Sequence, residues 1–185
     1  SKQDARIRML ELNQGFNFSR VVNTGVEQAK GEHILLLNND IEVLSGDWIE
    51  SLLEHSQRAD VAAVGGKLFY PDNTIQHAGI VHGLGGYAGH IHKNFPAYHE
   101  GYFNRLQLVQ NVTAVTGALL MVKRSIYQEL GGFDEDQFAV AYNDVDFCIR
   151  AREAGYLNIF TPYCEAYHFE SKSRGYEVTT DKASR

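Results

Sequence analysis

Gly31-Glu32-His33-Ile34-Leu35-Leu36-Leu37-Asn38-Asn39-Asp40 holds a continuous apolar run, stopped by two amides and an acid. Such a run suits a strand buried on both faces, as in a parallel sheet. Upstream, Val21, Val22, Val26 and Ala29 recur at helical spacing from Phe18, and Gly31 follows as a stop signal. Downstream, Asp47 to Ala59 reads as a second helix with Trp48, Ile49, Leu52 and Leu53 facing inward, and Val61-Ala62-Ala63-Val64 as the next strand. Arg6 to Leu12 alternates polar and apolar residues, which predicts a short strand ahead of the first helix. Strand, helix, strand, helix, strand is the order of an α/β fold with crossover connections.

The pattern then changes. Residues Tyr70 to Gln110 are rich in Gly, His, Tyr and Asn without a clear period, and Gly83-Leu84-Gly85-Gly86 with Gly89 reads as a mobile loop or a close backbone approach. Val112 to Gly117 and Leu119 to Val122 read as strand. Ser125 to Leu130 reads as a short helix ended by Gly131-Gly132. Asn143 is placed to cap a helix from Asp144 to Ala154, closed by Gly155, and Leu157 to Phe160 forms a last strand.

Of the 185 residues, 44% are hydrophobic and 22% charged, enough for one domain with a sizeable core. A net charge of -6 gives no electrostatic footprint for nucleic acid. Cys148 and Cys164 lie far apart, without metal-type spacing, and fit a reducing compartment. No signal peptide opens the chain and no apolar run is long enough to span a bilayer, so a cytoplasmic location is expected.

Three segments carry chemistry. Asn38-Asn39-Asp40 follows a strand, where ligands gather in open α/β sheets, and a carboxylate there could hold a hard cation; alone, such residues are turn formers. Tyr142-Asn143-Asp144-Val145-Asp146 opens a helix, where an acid is either a dipole partner or a general base. Asp144 and Asp146 fall on different sides of that helix and are not expected to share one task. His168 to Gly175 combines an imidazole with Lys172 and Arg174, a set suited to metal and phosphate or simply to a solvated tail.

Five ordered segments, from about Arg6 to Gly175, resemble glycosyltransferase family 2, rhamnosyltransferases included: Asn13-Gln14-Gly15-Phe16-Asn17; the strand ending at Asp40, similar to a DxD motif; Val115-Thr116-Gly117-Ala118 with Gly131-Gly132-Phe133-Asp134-Glu135; Asn143 to Cys148; and His168 to Gly175. The resemblance implies a GT-A-type, Rossmann-like, mostly parallel mixed sheet flanked by helices. It implies an inverting transfer from a UDP- or TDP-sugar to a glycan or lipid-linked acceptor in cell-surface polysaccharide synthesis. By it, Asp144 is the catalytic base, Asp40 and His168 ligate Mn²⁺ or Mg²⁺, and Asn38, Asn39, Lys172 and Arg174 face the donor diphosphate. Asn38 stands at the first acidic position of DxD and offers only an amide oxygen there.

The family's opening nucleotide-binding strands have no counterpart before Arg6, so residues 1–175 are expected to be part of the catalytic domain, binding nucleotide sugar weakly alone, and residues 176–185 a polar tail. A sheet edge left open in this way favours a homodimer. Lipid-linked acceptors bring such enzymes to the inner face of the membrane, although no amphipathic helix here demands it. The competing reading from another class is a non-catalytic carbohydrate-binding or assembly module. A nucleotidyltransferase is disfavoured, because no Gly-rich phosphate loop precedes a helix. His77, His82, His90, His92 and His99 form no recognised zinc spacing, and the region reads as a polar acceptor-binding loop. Phe69, Tyr70, Tyr87, Tyr98, Tyr102 and Phe103 are available for sugar stacking but read mainly as packing residues.

Overall fold

The structure is a computed structural model describing residues 4, 6–13 and 15–169. Its strands are β1 (His33–Leu37), β2 (Ile41–Val43), β3 (Val61–Phe69), β4 (Ile75–His77), β5 (Ile80–His82), β6 (Ala88–His90), β7 (Gln110–Val112), β8 (Leu119–Lys123) and β9 (Leu157–His168). Its α-helices are α1 (Phe18–Gln28), α2 (Trp48–Ser56), α3 (Arg124–Glu129) and α4 (Asn143–Glu153).

The main sheet runs β1-β8-β3-β9-β2, with β4 added to β3 and β7 to β9. β8 lies antiparallel between β1 and β3, so those two share a direction, and β3 pairs with β9 in parallel. Helices cover both faces. Val26, Ile126, Tyr127, Phe147 and Ala151 from α1, α3 and α4 pack with Ala62, Ala63, Leu120 and Val122. Leu52 of α2 packs on the other face with Val61, Val64, Leu119, Met121 and Ile159. This is the expected α/β sandwich.

Several details differ from the sequence reading. Residues 6–12 form no strand; Ile7 and Met9 are exposed, and alternation without a neighbouring ladder leaves nothing to pair with. β1 is not buried on both faces: Ile34 is buried, while Leu37 is exposed at a described sheet edge. A cleft of about 440 Å³ opens there, between β1 and Val21, Val22 and Gly25 of α1. α2 stops at Ser56 and leaves Ile49 exposed.

β3 continues through Gly65-Gly66-Lys67 to Phe69 with every residue buried. The glycines are required by space: a Cβ on Gly65 would lie 2.6 Å from Val115 Cβ, and one on Gly66 would lie 2.6 Å from the Cys164 carbonyl oxygen. The stretch read as irregular contains β4 and the β5–β6 hairpin, and β7 begins at its last residue, Gln110. Strand after Val112 gives way to an extended segment that reaches β8 through a turn at Gly117-Ala118. Tyr87, Tyr98, Tyr102 and Phe103, read mainly as packing residues, are exposed, whereas Phe69 is buried.

Candidate functional site

β1 ends directly before Asn38-Asn39-Asp40, and β2 departs from Asp40 to pair antiparallel with the end of β9, Ile41 opposite His168. The Phe169 N–H donates to the Asp40 carbonyl at 3.0 Å, which closes this corner. His168 Nε2 therefore lies 3.2 Å from Asp40 Oδ1 and 3.3 Å from Asn38 Nδ2. Asp40 Oδ1 is buried and accepts no hydrogen bond. An orphaned carboxylate oxygen beside an imidazole nitrogen and an amide is a donor set that suits a divalent cation. Among the described residues no group of three or more His, Cys, Asp and Glu assembles, so Asn38 or donor oxygens would complete the coordination. Asn39, between them, is exposed. Lys172 and Arg174 lie outside the described residues.

Asp144 stands on α4, whose first helical residue is Asn143. The cap position falls to Tyr142, held in a left-handed conformation at φ 62°, rather than to Asn143 as the sequence suggested. The Asn143 side-chain oxygen instead accepts from the Asp144 N–H at 2.9 Å. The Asp144 carboxylate accepts from the Gly117 N–H and the Val145 N–H, each at 2.8 Å, and from the Thr116 hydroxyl. Burial raises its pKa above the ordinary carboxylate value, against the pull of those donors. Asp146 points elsewhere and binds Arg150 at 2.7 Å, so the two acids have separate partners.

One short segment joins these halves. Gly117 donates to Asp144, and the next residue, Ala118, accepts from the Asn38 N–H at 2.9 Å. The carboxylate on α4 and the end of β1 are thus held on adjacent residues of one turn.

Sequence reasoning missed two contributors and the pairing of two histidines it had named. Gln76 on β4 places Oε1 2.8 Å from His168 Nδ1, inside the stretch read as loop. Asn23 of α1 donates to the Phe133 carbonyl and Glu135 Oε1, each at 2.9 Å, and accepts from Tyr127 Oη at 2.6 Å and the Phe133 N–H at 3.0 Å. Arg20 adds an ion pair to Glu135 at 2.9 Å. This network ties α1 to the Gly131–Glu135 segment; Gly132, at φ 69°, fits because a Cβ would stand 2.7 Å from Asn23 Oδ1. His77 and His90 form the third feature, a buried and a half-buried ring joined Nδ1 to Nδ1 at 2.9 Å. His92, Phe95 and His99 stack edge to face, and His82 is exposed.

The family model described as "Glycosyltransferase like family 2" matches residues 2–183. The chain belongs to glycosyltransferase family 2. As a member of it, the chain is 48% identical over 182 residues to the protein y4gI of Sinorhizobium fredii, covering 98% of this chain and 20% of that protein. It is 38% identical over 175 residues to the O-antigen biosynthesis protein RfbC of Myxococcus xanthus, covering 92% of this chain and 13% of that one. Over 70 residues, 38% of this chain and 22% of the relative, it is 34% identical to an N-acetylglucosaminyl-diphospho-decaprenol L-rhamnosyltransferase of Mycobacterium tuberculosis. The chain therefore spans about a fifth or less of these relatives.

Among solved structures, GalNAc-T7 with UDP, GalNAc and Mn²⁺ superposes with a TM-score of 0.66 at 15% identity, over 85% of this chain and 31% of that one. The mannosyltransferase PcManGT of Pyrobaculum calidifontis, with GDP-Man and Mn²⁺, does so at 0.61 and 19%, over 90% and 40%. At these identities the likeness shows the glycosyltransferase fold alone. No helix among the described residues of this family 2 domain is long and apolar enough to cross a membrane.

Proposed function

We propose that this domain transfers a sugar from a nucleoside-diphosphate donor to a hydroxyl of a glycan or lipid-linked acceptor, with inversion at the anomeric carbon. The observation that carries the reading is the Gly117-Ala118 turn, which holds Asp144 and Asn38 on neighbouring backbone groups. Asp144 takes the proton of the acceptor hydroxyl. The acceptor oxygen forms its bond to the anomeric carbon as the carbon–oxygen bond to the diphosphate breaks, and the diphosphate leaves with the electron pair. A carboxyl raised by burial is a stronger base once ionised than an exposed aspartate. Asp40 and His168, with Asn38 beside them, are the residues that would hold Mn²⁺ or Mg²⁺; the chemistry supplied by that ion is charge neutralisation on the departing diphosphate.

The metal and nucleotide are supported by the fold's likeness to structures solved with UDP or GDP-Man and Mn²⁺. An acceptor in cell-surface polysaccharide synthesis is supported by the names of RfbC and the rhamnosyltransferase, the second of which names a lipid-linked acceptor. UDP- and TDP-sugars are the donors to test first.

Asp144→Asn in the longer protein tests the base. Turnover is expected to fall about 10²- to 10⁴-fold while Mn²⁺-dependent nucleotide binding stays unchanged. Turnover that survives the substitution removes Asp144 from the chemistry. A parent protein that binds acceptor glycan yet turns over no nucleotide sugar supports a non-catalytic module instead.

A further inference from the structure

Gln76 is 4% exposed and sits between Ile75 and His77 on a strand with no exposed residue. A buried amide costs free energy unless it is hydrogen-bonded, so packing alone does not account for a glutamine there. Its Oε1 lies 2.8 Å from Nδ1 of His168, a residue 92 positions away in the chain. Across the same ring, Nε2 faces Asn38 Nδ2 at 3.3 Å and Asp40 Oδ1 at 3.2 Å.

A neutral imidazole has one N–H and one ring lone pair, and the groups around it decide which nitrogen carries which. An amide oxygen only accepts, so Gln76 Oε1 calls for the proton on Nδ1. An amide nitrogen only donates, so Asn38 Nδ2 calls for the lone pair on Nε2. Two contacts, one from β4 and one from the residue after β1, on opposite sides of the ring, select the same tautomer. The Nε2 lone pair then stands opposite Asp40 Oδ1, which has no hydrogen-bond donor of its own. Two acceptors face to face at 3.2 Å repel unless an electrophile lies between or beside them.

We infer that Gln76 is a positioning residue for this site: it holds His168 in the Nδ1–H tautomer and aims the Nε2 lone pair at the space beside Asp40. The purpose of that lone pair, ligation of a divalent cation, rests on the reading proposed above; the tautomer itself does not. Outer partners that orient a ligating histidine typically change metal affinity about 10- to 100-fold when removed.

Long-range ¹H–¹⁵N correlation spectra of the ¹⁵N-labelled chain at neutral pH give the test, with the His168 ring identified by its loss in His168→Gln. The wild type is expected to show His168 protonated on Nδ1 only. Gln76→Leu, which has no acceptor, is expected to lose that pattern, and Gln76→Glu, which keeps one, to retain it. A His168 ring carrying its proton on Nε2, or on both nitrogens, in the wild type overturns the inference. An unchanged ring in a folded Gln76→Leu also overturns it. If Gln76→Leu does not fold, the wild-type and Gln76→Glu spectra decide.

Titration with MnCl₂, following the electron paramagnetic resonance of the free ion, is the second readout. Affinity is expected to drop about tenfold or more in Gln76→Leu and to be restored in Gln76→Glu. A wild type that shows the Nδ1–H tautomer but binds no Mn²⁺ supports the positioning role and sinks the metal reading, so the two failures are distinguishable.

Discussion

Acidification to about pH 5 is the perturbation that tests the His77–His90 pair, and comparison with a variant of His90 separates it from the other titrating groups. The two Nδ1 atoms are 2.9 Å apart and the rings meet edge to face with centroids at 5.0 Å. Burial is the main cause that pushes His90 down to about 4, with Lys93 and His168 repelling its charged form further. Burial likewise holds His77 well below 6.5, with His90 and His168 adding repulsion. Between the ordinary value of 6.5 and about 4, the unfolded chain therefore binds more protons than the folded one. The sign follows: stability from His90 is full above 6.5 and is lost as pH falls toward about 4. At about 1.4 kcal/mol per pH unit, the loss is about 2 kcal/mol at about pH 5 and about 3 kcal/mol at about pH 4. His77 and the lowered His92 act with the same sign, and the raised Asp144 with the opposite one. Urea unfolding followed by circular dichroism, at about pH 7 and about pH 5, measures the loss in the wild type and in His90→Gln. The Gln amide can still pair with His77, and the other groups largely cancel between the two proteins. The wild type should lose about 2 kcal/mol more than the variant. Equal losses in the two proteins would refute the reasoning.

Two packing predictions accompany this one. Gly66→Ala puts a Cβ 2.6 Å from the Cys164 carbonyl oxygen and 2.8 Å from its sulfur in the fully buried β3, so it should cost about 2–3 kcal/mol; calorimetry showing an unchanged Tm would contradict that contact. Asn23→Leu removes four hydrogen bonds between α1, α3 and the Gly131–Glu135 segment and should cost about 2–4 kcal/mol in denaturant unfolding, whereas a loss under about 0.5 kcal/mol would show that the network holds nothing together.

The parts legible in the sequence are those set by neighbouring residues. The period of Val21, Val22, Val26 and Ala29 appears as α1, and the apolar run from His33 appears as β1, each within a residue or two of its expected end. The failures share a cause. Gly65-Gly66-Lys67 contains residues that usually weaken a strand, yet β3 passes through them because Val115 and Cys164 leave no room for a Cβ. Arg6 to Leu12 has strand alternation, but a strand exists only with a partner. Gln76 lay in a stretch without periodicity, and its role becomes visible only when β4 joins β3.

The same division runs through the site. Asp40 and Asp144 were visible as candidates because each sits beside a local signal, a strand end and a helix start, and the ordered segments around them identified glycosyltransferase family 2. The α/β class followed from periodicity, which is written along the chain. The meeting of His168 with Asp40 and with Gln76 depends on β9 running twelve residues to its register with β2, and the turn joining Asp144 to Asn38 depends on α4 and the end of β1 meeting the segment before β8. Register and side-chain contact are set by packing between segments distant in the chain, and no local pattern encodes them.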